Sequence, residues 1–135
     1  MLHGALFLLA LAYAVHYFLL PVDEYLLDPA IGVKGKNVVL TGASQGIGKS
    51  LAFEYARFGA KNIVVASRSV DRLEALKVEL EAQYQHTTVH VHRADLSTEA
   101  ASKELIDFSL SALGHIDYLV LNHITSADWG FWLQN

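Results

Sequence analysis

A chain of 135 residues with a formal net charge of −4 holds one domain at most, and its first stretch is too apolar to share that domain's core. The mild acidity and the scatter of its Lys and Arg residues argue against a nucleic-acid surface, and the absence of cysteine excludes disulfide staples.

Met1 to Leu20 carries no Asp, Glu, Lys or Arg. At roughly 1.5 Å per residue such a run covers the hydrocarbon thickness of a bilayer, so residues 1–20 predict an apolar helix serving as membrane anchor or signal segment. Ala10-x-Ala12 and Ala12-x-Ala14 are spaced like a cleavage site, which would give a secreted product. No basic n-region precedes them, however, and the apolar run continues to Leu20, so an uncleaved anchor is the expectation. Tyr13, Tyr17 and Tyr25 would then lie toward one interface, and Pro21 ends the helix. The near flank is acidic (Asp23, Glu24, Asp28), with Lys34 and Lys36 further on; the orientation expected is a short cytosolic N-terminus and a lumenal domain. Residues 21–35 are read as a linker, because Asp28 to Gly35 holds a proline and two glycines and suits neither helix nor strand.

The domain begins near Lys36. Val38, Val39 and Leu40 form a β-rich apolar run, Gly42, Gly46 and Gly48 follow, and Leu51, Ala52, Tyr55 and Ala56 recur at helical spacing. Strand, tight glycine turn and helix in that order aim unpaired backbone N–H groups and the positive end of a helix dipole at one point, which suits a phosphate. Gly42 lets the chain leave the strand sharply, Gly46 removes a Cβ where a pyrophosphate would approach, and Gly48 lets the helix pack closely. A competing reading takes Ala43 to Ser50 as a near miss to G-x-x-x-x-G-K-[ST], with Lys49 on β- and γ-phosphates and Ser50 on Mg²⁺. It is disfavoured, because Ala43 stands where the first glycine is needed and the later apolar strand ends in Asn122, not in a metal-binding Asp.

The helix is predicted to run to about Phe58, with Gly59 as its left-handed end. Asn62 to Ser67 is continuously apolar enough for a parallel strand covered on both faces. Val70, Leu73, Leu76, Leu80 and Tyr84 predict the next helix, with Glu74, Glu79 and Glu81 on its wet face. Thr88 to His92 alternates valine with polar residues and predicts a third strand near an edge, with His90 and His92 solvated and not metal ligands. Ser97 is the expected N-cap of a helix whose buried stripe is Leu105, Ile106, Phe108, Leu110 and Leu113; Gly114 closes it, and Asp117 to Leu121 is the fourth strand.

The order β-α-β-α-β-α-β, with connections long enough for right-handed parallel crossovers, predicts an α/β fold with strand order 3-2-1-4, half of a doubly wound Rossmann-type sheet. A ligand belongs where the order reverses, at the carboxyl ends of strands 1 and 4, near Gly42 to Gly48 and Asn122. The second strand ends in Ser67-Arg68-Ser69 with no acid before Asp71. A carboxylate there would hold a ribose 2′-OH, whereas an Arg welcomes a 2′-phosphate, so NADP(H) is favoured over NAD(H). Asp95, after the third strand, lies where it could meet an adenine amino group or simply serve a turn.

Thr41-Gly42-Ala43-Ser44-Gln45-Gly46-Ile47-Gly48, Arg68, Asp95-Leu96 and Leu121-Asn122-His123-Ile124 together resemble the N-terminal half of a short-chain dehydrogenase/reductase. The apolar N-terminus and Asn122-His123-Ile124-Thr125, in place of the usual Asn-Ala-Gly, are similar to the 11β-hydroxysteroid dehydrogenase branch. The resemblance implies that Gly42, Ser44, Gln45, Gly46, Ile47, Gly48, Arg68, Ser69, Asp95, Leu96 and Asn122 line the dinucleotide site. It also implies an anchored protein of the endoplasmic reticulum membrane, with steroid-like alcohols or ketones as substrates; a dimer partner of the same family is a separate expectation. The family's chemistry uses a Tyr-x3-Lys pair and a serine. The position four beyond Tyr13, Tyr17, Tyr25, Tyr55, Tyr84 and Tyr118 holds Tyr17, Pro21, Pro29, Gly59, Thr88 and Asn122, never lysine. Residues 36–125 are therefore expected to be the cofactor-binding half-domain of a truncated form without a catalytic residue, inactive alone, followed by an unassigned tail at 126–135. The alternative is a non-catalytic, membrane-tethered protein that binds dinucleotide or pairs with a longer partner through the open edge of strand 4.

Overall fold

The computed structural model describes residues 29–123; the apolar stretch 1–20, most of the linker and the tail 126–135 lie outside the described residues. Among the described residues, no helix is long and apolar enough to cross a membrane. The chain runs α1 (Pro29–Val33), β1 (Asn37–Thr41), α2 (Gly46–Arg57), β2 (Asn62–Ser67), α3 (Val70–Gln83), β3 (Thr88–Arg93), α4 (Glu99–Leu113) and β4 (Tyr118–Val120). All strand pairs are parallel and the sheet order is β3-β2-β1-β4. The reversal beside β1 is the one expected when two crossovers run outward from β1 and the third returns to place β4 on its other side.

Each face of the sheet is covered, because alternate residues of β1 and β2 bury on opposite sides. Val38, Leu40, Ile63 and Val65 pack with Ala52 and Ala56 of α2 and with Leu73, Leu76 and Leu80 of α3. Val39, Val64 and Ala66 pack instead with Leu105 of α4. The buried stripe of α2 is Gly48, Ala52 and Ala56, small residues that let the helix approach, whereas α3 buries three leucines, each stabilising by roughly 1.5–3 kcal/mol.

Five local expectations are corrected. Part of the linker is helical: Pro29 fits the first turn of α1 because no N–H is needed there, and Tyr118 Oη donates to the Gly32 carbonyl at 2.7 Å. The cap of α4 is Thr98, not Ser97; its side chain accepts from Ala101 N–H, while Ser97 N–H donates to Asp95 Oδ1 at 3.3 Å. Leu110 is exposed, and the buried place one residue earlier goes to Ser109, whose hydroxyl donates to the Leu105 carbonyl at 2.7 Å and is thereby satisfied. The edge histidines are half-buried rather than fully solvated: His92 stacks on Phe108 with centroids 4.5 Å apart, and burial first, then Lys77, pushes the His90 pKa below its ordinary value. Glu81, expected on the wet face of α3, accepts a hydrogen bond from Val89 N–H at 2.9 Å and so satisfies a donor on β3.

Candidate functional site

A cleft of about 750 Å³ opens at the carboxyl ends of the strands. Its wall brings together Gly42, Ser44, Gln45, Gly46 and Ile47 from the glycine turn, Arg68 and Ser69 after β2, Asp95 and Leu96 after β3, and Asn122 after β4. Of the residues singled out in the sequence, Gly48 alone lies behind this wall, buried in the first turn of α2.

The turn is shaped by what its glycines approach. Gly42 has φ +66°, and a Cβ there would sit 2.8 Å from the Asn122 carbonyl oxygen. A Cβ on Gly48 would collide with the Gly42 carbonyl and stand 2.7 Å from Asn122 Nδ2, so the close approach it permits is to the turn itself and to the segment after β4. Gly46 differs: at φ +57° a Cβ would meet nothing within 4 Å. The space before the opening turn of α2 is thus left clear, and the first amides of a helix have no intrahelical acceptor. Gln45, at the N-cap with extended backbone, makes no side-chain cap, and neither does Ser69 ahead of α3. The open space at Gly46, amides without an intrahelical acceptor and the positive helix end together fit a phosphate group.

Thr41 ties the two sides of the switch point. Its buried Oγ1 accepts from the amides of Asn122 at 2.9 Å and His123 at 3.3 Å. The hydroxyl proton has two acceptors in reach, the Val120 carbonyl at 3.2 Å and, when the imidazole proton is on Nε2, His123 Nδ1 at 3.1 Å. Asn122 Nδ2 in turn faces the Gly42 carbonyl at 3.5 Å. The competing phosphate-loop reading gains no support from this geometry: Lys49 Nζ pairs with Glu79 at 2.7 Å and Ser50 Oγ donates back to the Gly46 carbonyl at 3.2 Å.

Arg72, Thr41 and His123 were not assigned to the site from the sequence, although Thr41 and His123 stand within its motifs. Arg72 lines the cleft and donates from Nη1 to Gln45 Oε1. Its spacing from Arg68 places both at the start of α3, but only the folded chain brings it to the glycine turn. Thr41 and His123 are the others, and their tie depends on β1 and β4 being neighbours.

Parallel strands in this order, with a glycine turn where the order reverses, define a Rossmann-type half-domain. The chain belongs to the short chain dehydrogenase family, whose sequence profile matches residues 36–126. A curated relative, hydroxysteroid 11-beta-dehydrogenase 1-like protein A of Xenopus laevis, is 38% identical over 100 residues, which cover 73% of this chain and 34% of the relative. The chain therefore spans about a third of the length of that relative. Among solved structures, a metagenomic short-chain oxidoreductase in complex with NADP matches with TM-score 0.63 and 33% identity, over 70% of this chain and 41% of that one. A short chain dehydrogenase/reductase from Burkholderia phymatum in complex with NAD matches with TM-score 0.60 and 32% identity, over 65% and 30% of the two chains.

Proposed function

We propose that these residues form the cofactor-binding half of an NADP(H)-dependent short-chain oxidoreductase acting on alcohols or ketones of steroid-like character. The observation that carries the reading is the cleft: an uncapped glycine turn at the switch point, with Arg68 and no carboxylate at the end of β2. The amides of Gly46 and Ile47 would hold the pyrophosphate, Arg68 and Ser69 the 2′-phosphate, Asp95 and Leu96 the adenine, and Asn122 the nicotinamide side. When bound, the dinucleotide supplies the hydride chemistry; the residues present here bind and orient it. Family structures hold either NADP or NAD, so the choice between them rests on Arg68 and on the missing acid.

Residues 1–20 fit an anchor in the endoplasmic reticulum membrane with the domain in the lumen, in keeping with their lack of charge. Taken by themselves, the 135 residues hold no Tyr-x3-Lys pair, and the expectation is binding without turnover. The test is calorimetric titration of the full chain in detergent micelles with NADP⁺ and NAD⁺, alongside an assay of NADPH-dependent steroid ketone reduction. Saturable binding that favours NADP⁺, with no turnover above background, is the expected result. Absence of binding to both dinucleotides would remove the oxidoreductase assignment, and turnover would remove the claim that this chain is inactive.

A further inference from the structure

We infer that Arg72, held against the glycine turn by Gln45, is a second cation for the adenosine 2′-phosphate and a determinant of NADP over NAD preference. The inference rests on the dinucleotide reading and adds to it a residue that neither the glycine turn nor the end of β2 contains.

Arg72 stands in the first turn of α3, where a positive charge works against the helix dipole. A guanidinium in that place is normally relieved by a carboxylate, yet none of the ion pairs among the described residues involves Arg72 or Arg68. Asp71 is next to Arg72 in the chain but makes no bond to it. The partner Arg72 does have is the neutral Oε1 of Gln45. A neutral acceptor orients the guanidinium without cancelling its charge and leaves four of its five N–H donors for something else.

The location is specific. Gln45 is the residue just ahead of α2, and instead of capping that helix its side chain reaches across to α3. Arg72 thereby joins two walls of the cleft, the glycine turn and the start of α3, and lines it together with Arg68. In a sheet of this order the ribose nearest the end of β2 is the adenosine ribose, so its 2′ substituent faces this corner. A 2′-phosphate there would meet Arg68 from the loop and Arg72 from the helix, whereas the hydroxyl of NAD would leave two guanidiniums without an anion.

The alternative role for Arg72 is structural, in which it props Gln45 and so shapes the pyrophosphate turn for either dinucleotide. The two roles separate in a ratio. Arg72→Gln, in the full chain in micelles, is titrated by calorimetry with NADP⁺ and NAD⁺ at low and at high salt. The expected result is a loss of about tenfold in NADP⁺ affinity with NAD⁺ affinity unchanged, and a weaker salt dependence for NADP⁺ than in the wild type. Arg72→Lys keeps the charge and should hold most of the preference, which also shows that the site is folded. Equal loss for both ligands, or no loss for either, overturns the inference while leaving the dinucleotide reading in place. Failure of the wild type to bind either ligand removes both.

Discussion

At Gly42 three demands meet in one residue. The backbone is left-handed, the Asn122 carbonyl lies where a Cβ would point, and the amide donates to the Ala66 carbonyl at 2.8 Å. Gly42→Ala keeps that hydrogen bond but must pay for a left-handed alanine and push back the segment after β4. The expected cost is roughly 1–3 kcal/mol, read as a lower urea midpoint at unchanged slope. An unchanged midpoint would show that the segment carrying Asn122 and His123 moves aside freely. Thr41 shows the complementary case, in which a buried hydroxyl is kept because its donor and acceptor capacity is used in full. Nothing in the local sequence distinguishes that threonine from an ordinary β-branched strand residue.

Among the elements, β1 and β4 are joined at their start by a polar knot rather than by apolar packing. Asp117 accepts from Asn37 N–H at 2.8 Å and from Lys36 Nζ at 2.9 Å, and Asn37 Nδ2 donates to the His115 carbonyl at 3.1 Å. The Asn37 amide first, then the Lys36 ammonium, holds the Asp117 carboxyl below the usual carboxylate range. The sign follows from linkage: a depressed acid stabilises the fold above its unfolded pKa, and that contribution disappears as pH falls through the lower folded value. Wild type should therefore lose stability on the acid side of the ordinary aspartate range, and Asp117→Asn should show a flatter acid limb. Melting temperatures measured from about pH 6 down to about pH 2 check this, and identical acid limbs would remove Asp117 from the account. The same element scale explains the caps. Asp95 takes the Ser97 amide in the turn ahead of α4, and the Thr98 side chain caps the helix.

For the molecule as a whole the consequential feature is the sheet edge at β4. Among the described residues β4 pairs with β1 alone, and Leu119 and Leu121 are 47% and 67% exposed. An edge of this kind presents unpaired backbone groups beside apolar side chains, which favours strand-to-strand association. Leu119→Lys is expected to shift the full chain in micelles toward the monomer, measured by sedimentation velocity over a range of protein concentrations. Equal association of wild type and variant would mean that β4 is not the contact. On this scale, too, the resemblance to longer relatives matters, since the profile match ends just past β4.

The sequence by itself determined the order of elements, the parallel sheet and the place of the cleft. These follow from apolar runs, helical periodicity and glycines within a few residues of one another, patterns that can be read along the chain. It also brought Gly42, Ser44 to Ile47, Arg68, Asp95 and Asn122 to one address, because each follows a strand end and parallel strands carry their ends to the same side. Only the tertiary structure decided that Arg72 leans on Gln45, that Thr41 holds His123, that Lys49 turns away to Glu79 and that Ser109 rather than Leu110 faces the core. Those outcomes depend on distances between elements far apart in the chain, set by how closely a glycine- and alanine-lined helix can settle on its sheet, and no pattern along the chain encodes such a distance.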